Sequence, residues 1–166
     1  MIDPEFFYTV AQVGVTYAGF STLVAVVAYR NDSGALPARI YYMLLLSIIV
    51  IAFALLPTVI GAFGVEERNL WRLSSALYGI TWSVYWVNAI ITIRKRFRIW
   101  GSINLVNKIN TAVVHPVSTT LLILGALGVW SEWTDAVYIT ALFIMLYMSA
   151  HLFLQIIVDL MNRQGD

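Results

Sequence analysis

The chain has 166 residues, 60% of them hydrophobic and 11% charged, with a formal net charge of +1 and no cysteine. An average soluble domain carries about a quarter charged residues, so this balance belongs to lipid, and no stretch is polar enough to form an appended soluble domain. The missing thiols exclude disulfides, thiolate metal sites and cysteine nucleophiles, and the small net charge says less about partners than where the charges fall.

The charges form short clusters separated by apolar runs of about 20 residues, the length that crosses a bilayer as a helix. The first run, 6–29, lies between Asp3/Glu5 and the polar turn Arg30-Asn31-Asp32-Ser33-Gly34. The segment before it has acids and no basic residue, unlike a secretory signal, so the run is expected to be a retained span. Ala11, Gly14, Ala18, Ser21, Ala25 and Ala28 recur at steps of three or four and put small residues on one face. Such a face allows close helix approach, either within one copy or as a dimer seam. Gly14, Ala18, Ser21 and Ala25 are the packing residues expected there.

The second run, 40–63, is almost wholly Leu, Ile, Val, Ala and Phe, with Pro57 near its far end, and is assigned to the lipid-facing periphery. The third, 73–93, carries Ser74, Tyr78, Thr81, Tyr85, Asn88 and Thr92 at i, i+4, i+7, i+11, i+14 and i+18, a polar stripe along the whole helix. A stripe of that length must line water or meet other polar side chains, because hydrocarbon offers no hydrogen bonds. Arg94, Lys95, Arg96 and Arg98 follow, suited to fixing topology or to contacting lipid headgroups or partner subunits.

The fourth run, 109–130, is interrupted by Pro116 and brings Thr111, His115, Ser118 and Thr119; Pro116 frees the carbonyl of Ala112 in the preceding turn. The fifth, 136–158, brings Tyr147, His151 and Gln155 on one face. At 1.5 Å per residue, His115 and His151 sit at similar depth, roughly 9 and 12 Å from the inner ends of their spans.

The pattern is an all-α, polytopic transmembrane bundle: a single transmembrane domain, 1–166, with five spans, the main competing reading being four spans with one run peripheral. Basic residues of short loops stay in the cytoplasm. One face receives Arg30, Arg39, Arg94, Lys95, Arg96, Arg98, Lys108 and Arg163, the other only Arg68 and Arg72, so the N-terminus is expected outside and the C-terminus in the cytoplasm. Trp71, Trp130 and Trp133 then mark the outer interface, and Tyr41, Tyr42 and Trp100 the inner one. The pattern is that of a small protein of a bacterial inner membrane, and no motif ties it to a named family.

Ser74, Tyr78, Thr81, Tyr85, Asn88, Thr92, His115, Tyr147, His151 and Gln155 are the expected pocket or pore residues. Polar stripes with histidines, whose charge changes near neutral pH, suit an oligomeric, channel-like protein that passes ions or protons. Two alternatives stand beside it: an accessory or scaffolding subunit of a larger membrane complex, and a subunit holding b-type haem between His115 and His151. Otherwise no cofactor or metal is expected. No phosphate loop, HExxH pair or nucleophile–base set argues for an enzyme, and nothing argues for nucleic acid. Partners are expected to be membrane lipids and either further copies or other membrane subunits.

Overall fold

The computed structural model describes residues 4–28, 36–96, 109–129 and 132–163, and among these the chain is all helix. Its elements are α1 (Pro4–Ala28), α2 (Leu36–Ala62), α3 (Glu67–Arg96), a π-helical turn (Asn110–Val114) running into α4 (His115–Ala126), and α5 (Thr134–Arg163). Three stretches are long and apolar enough to cross a membrane: Glu5–Val26, Ile40–Ala62 and Thr134–Val158. The protein is therefore membrane-embedded and helical, with three spans assigned on length and composition. The third and fourth expected runs differ in kind. α3 has 30 residues, ample length, but its Trp, Tyr, Ser, Thr and Asn make it too polar on composition. The apolar part of the fourth, Ala112–Ala126, is short.

Local chemistry sets the helix ends. Pro4 and Pro37 stand in first turns, where a missing N–H costs nothing. Pro116 stands at the start of α4, continuous with the π turn, and that turn widens so that the His115 N–H bonds to the Asn110 carbonyl. The wide turn lets the helix run up to Pro116 without a clash at the carbonyl one turn back. At the far end of α4, Val129 N–H bonds to Leu124 O (3.1 Å) and Gly128 N–H to Gly125 O (3.0 Å), with Gly128 at φ +74°. That is a Schellman cap, which needs a residue comfortable in the left-handed region.

The described chain forms two compact units, Met1–Val59 with Met145–Asp166, and Ile60–Ile144. In the first, α1 packs on α2 where a side chain on Gly14 would stand 2.8 Å from Ile51 Cγ1 and 3.3 Å from the Ser47 carbonyl. Ile40, Met43 and Ile156 form a buried cluster covered by Tyr17, Val24, Ala25, Leu152, Phe153 and Leu160. Ser47 donates to the Met43 carbonyl (2.8 Å), so across the 3.2 Å contact between hydroxyls it is Ser149 that donates to Ser47. The small face of α1 thus lies against its own α2: Ala11, Gly14 and Ser21 are buried, Ala18 and Ala25 half-buried.

α2 departs from the peripheral place expected for it. Met43, Leu46, Ser47, Val50 and Ala54 are fully buried or nearly so. The physical reason is that lipid tails are as apolar as Leu, so lack of a polar stripe does not say which face meets lipid.

In the second unit, α3 and α4 run antiparallel. Arg72 faces Gly128, Ser75 faces Gly125, Gly79 faces Leu122 and Trp82 faces His115, pairs that step in opposite directions along the two helices. The first turns of α5 close the unit through Tyr138, whose ring meets Trp71 (5.8 Å between centroids) and Tyr78 (5.6 Å). Tyr78 Oη donates to the Ala141 carbonyl at 3.0 Å.

Candidate functional site in the seam between α3 and α4

The site begins with glycine. A side chain on Gly79 would stand 3.3 Å from Leu122 Cβ, and one on Gly125 3.5 Å from Ser75 Oγ, so both glycines let the helices approach closely. Ser75, Gly79 and Trp82 stand at i, i+4 and i+7 on α3, and His115, Ser118, Leu122 and Gly125 at i, i+3, i+7 and i+10 on α4. Helical periodicity gives each set one face.

The polar atoms in and beside this seam share an unusual state. Ser74 Oγ, Ser75 Oγ, Trp82 Nε1, His115 Nδ1, Ser118 Oγ, Thr119 Oγ1 and Arg72 Nε are all buried with no hydrogen-bond partner among the described residues. A helical hydroxyl ordinarily returns to a carbonyl three or four residues back. Thr9, Thr16, Ser21, Thr22, Ser47, Ser83 and Thr140 do so, at 2.7–3.0 Å. The hydroxyls of Ser74, Ser75, Ser118 and Thr119 do not. Each buried unpaired polar group costs about 1–3 kcal/mol, and native proteins carry few, so a string of them calls for a physical explanation.

The string has two parts. Arg72, Ser74 and Ser75 lie toward the Gly128 end; Trp82, His115, Ser118 and Thr119 lie on the other side of the Gly79–Leu122 contact. From Arg72 to Tyr85 the seam extends about 20 Å along the helix axis. Leu122 is fully buried and divides the two parts with an apolar side chain. The His115 ring stacks on Trp82 (4.4 Å between centroids, 28° between planes), and Trp82 stacks on Tyr85 (5.3 Å, 9°). Stacking fixes the imidazole plane and leaves its edge nitrogens as the reactive positions.

The expected pocket residues distribute between the units. Ser74 and Tyr78 are buried, and Thr81 and Tyr85 half-buried, in the unit that holds His115. Tyr147, His151 and Gln155 belong to the other unit; there Gln155 Nε2 meets His151 Nε2 at 2.7 Å, and Tyr147 stacks on His151 (6.2 Å, 17°). Asn88 is exposed. Thr92, Arg94, Lys95 and Arg96 lie on α3 with side chains outside the described set, and Arg98 is outside the described residues altogether. Among described residues, no group of three or more His, Asp or Glu gathers as a metal would require. The haem reading gains no support from either histidine's surroundings.

Sequence reasoning missed Trp82, Ser75, Gly79 and Arg72. The available signal was the small-xxx-small step from Ser75 to Gly79, one turn before an indole, a pattern that brings helices together in membranes. No protein family, curated protein or solved structure matches the chain.

Proposed function

We propose that the protein passes protons or small ions across a membrane through the seam between α3 and α4. The observation that carries this reading is the line of unpartnered hydroxyl, indole and imidazole groups on the facing sides of two antiparallel helices. Water is the smallest partner that supplies both donors and acceptors to such groups, and a hydrated line of hydroxyls and an imidazole passes protons. Among the described residues, neither facing side brings a carboxylate to the seam, which favours protons over a bound metal cation. Leu122 at the Gly79 contact serves as an apolar gate of the kind that closes by excluding water.

The same reading includes five spans, with α3 and α4 as the third and fourth. α3 is about 45 Å long, enough to cross. Trp and Tyr lower its hydropathy although their ring bodies are apolar and suit membrane interfaces. The excess of Lys and Arg at the Arg94 end of α3 supports a cytoplasmic side for that end and for the C-terminus, and is in keeping with a bacterial inner membrane. An accessory role in a larger membrane complex is the second reading, favoured by the exposed Asn88 on α3.

The test is proton flux into liposomes holding the purified protein, followed with an internal pH dye under an imposed potential. The wild type is expected to conduct, Ser118→Ala to reduce flux severalfold, and Leu122→Ala to raise it. Flux no greater than in empty vesicles at any of these would overturn the reading in favour of the accessory role.

A further inference from the structure

Two of the apolar spans have an end in the second unit, and both ends lie beside the start of α3. Ile40–Ala62 stops where a side chain on Gly61 would meet Leu70 Cδ1 at 3.2 Å, and Thr134–Val158 begins where one on Gly125 would meet the Thr134 methyl at 3.5 Å. Arg72 stands at this level, half-buried, its guanidinium filling the place of a side chain on Gly128. Arg68, one turn earlier and exposed, shares its face, since residues four apart lie above one another on a helix. The level is that of lipid headgroups, and Trp133, 67% exposed beside Thr134, has the amphipathic ring that suits such a depth.

These two cations have no counter-ion within the described chain. Among the described residues no carboxylate or carbonyl bonds to either guanidinium, and Arg72 Nε is closed off without a partner. Carbonyls at the end of α4 are taken by the cap: those of Ile123, Leu124 and Gly125 accept from Leu127, Val129 and Gly128. Nearby acids are engaged or turned away. Glu66 accepts from the Asn69 amide (3.4 Å), Asp135 accepts from the Ala136 N–H (2.8 Å), and Glu67 stands about 100° round the helix from Arg68. A partly desolvated guanidinium without a counter-ion is unfavourable, and an oxyanion at headgroup depth relieves it.

We infer that Arg68 and Arg72 bind the phosphate of an anionic lipid headgroup, with the Nη edge of Arg72 holding two of its oxygens over the end of α4. Nε is enclosed, so the two Nη groups are the edge left for a partner, and their parallel N–H bonds match two oxygens of a phosphodiester. Two cations one turn apart also choose among lipids. A headgroup without an ammonium, such as that of phosphatidylglycerol, keeps its net charge for both arginines, whereas the choline of a zwitterionic lipid brings a cation toward them. Gly128 belongs to the site, because any side chain there would displace the guanidinium. The inference rests on neither ion passage nor the number of spans.

Titration of the full chain in uncharged detergent with phosphatidylglycerol, phosphatidylcholine or inorganic phosphate, followed by tryptophan emission, tests the site. The wild type is expected to bind phosphatidylglycerol about tenfold or more tighter than phosphatidylcholine, and to respond weakly to inorganic phosphate at the same concentration. Arg72→Gln and Arg68→Gln should each weaken phosphatidylglycerol binding about fivefold, the effect of one cation beside an anionic headgroup. Arg72→Lys keeps the charge and loses the fork, and should recover only part of that loss. Because Arg68 is exposed, Arg68→Gln should keep the fold and carries the test alone if Arg72→Gln does not fold. Equal affinity for the two lipids, or unchanged phosphatidylglycerol binding in Arg68→Gln, would overturn the site. Inorganic phosphate bound as tightly as the lipid would overturn the headgroup in favour of a free anion.

Discussion

Residue by residue, the polar groups of this protein follow two regimes. Outside the seam, the hydroxyls of Thr9, Thr16, Ser21, Thr22, Ser47, Ser83 and Thr140 are quenched by the backbone of their own helix, the local solution open to Ser and Thr. Inside it, the hydroxyls of Ser75, Ser118 and Thr119 remain unpaired beside an indole N–H and an imidazole nitrogen that have no backbone carbonyl of their own turn to return to. Glycine works at the same scale. Gly128 is constrained twice, by its φ of +74° and by the Arg72 guanidinium, which occupies the place a Cβ would take. That guanidinium also stands at the carbonyl end of α4, where positive charge is favoured by the helix dipole. Gly128→Ala is therefore expected to cost about 1–3 kcal/mol, through the left-handed backbone and the displaced arginine. Reversible unfolding in mixed micelles measures this, and a change below a few tenths of a kcal/mol would remove the argument.

At the scale of elements, the sequence announced the apolar helices by run length alone, and the described helices overlap all five expected runs. Composition was enough because hydrocarbon forces every backbone group in a span to bond internally. Which face of a helix meets which neighbour was not legible in the same way. The small stripe of α1 allowed both a dimer seam and an internal contact, and only the placement of Gly14 against Ile51 distinguishes them. α2 was put at the periphery for want of polar residues, yet it is the most buried of the three apolar spans. The π turn before His115 was half legible: Pro116 signalled a lost backbone bond, but not that the preceding turn would widen to absorb it. The α1–α2 contact carries its own expectation. Gly14→Val forces atoms into a 2.8 Å gap and should destabilise the fold by about 1–3 kcal/mol, while Gly19→Val, in open space, should leave unfolding unchanged. Equal effects of the two, read from the same unfolding curves, would contradict this assignment of faces.

For the whole molecule, two compact units divide the polar residues that the sequence presented as one set. His115 keeps company with Trp82 and Tyr85, and His151 with Tyr147 and Gln155. Residue counts along a span give an expected depth, but the azimuth of each helix depends on packing that no periodicity records, so the immediate neighbours of each histidine were not legible. The proposed function requires water to reach the seam of the second unit. Transfer of magnetisation from water to labelled protein in bilayers, by solid-state NMR, tests this most directly. The indole N–H of Trp82, fully buried among side chains, should receive water magnetisation as fast as groups at the membrane interface. Transfer to Trp82 as slow as to the exposed, apolar Val84 on the same helix would show a dry seam and contradict the proposed function.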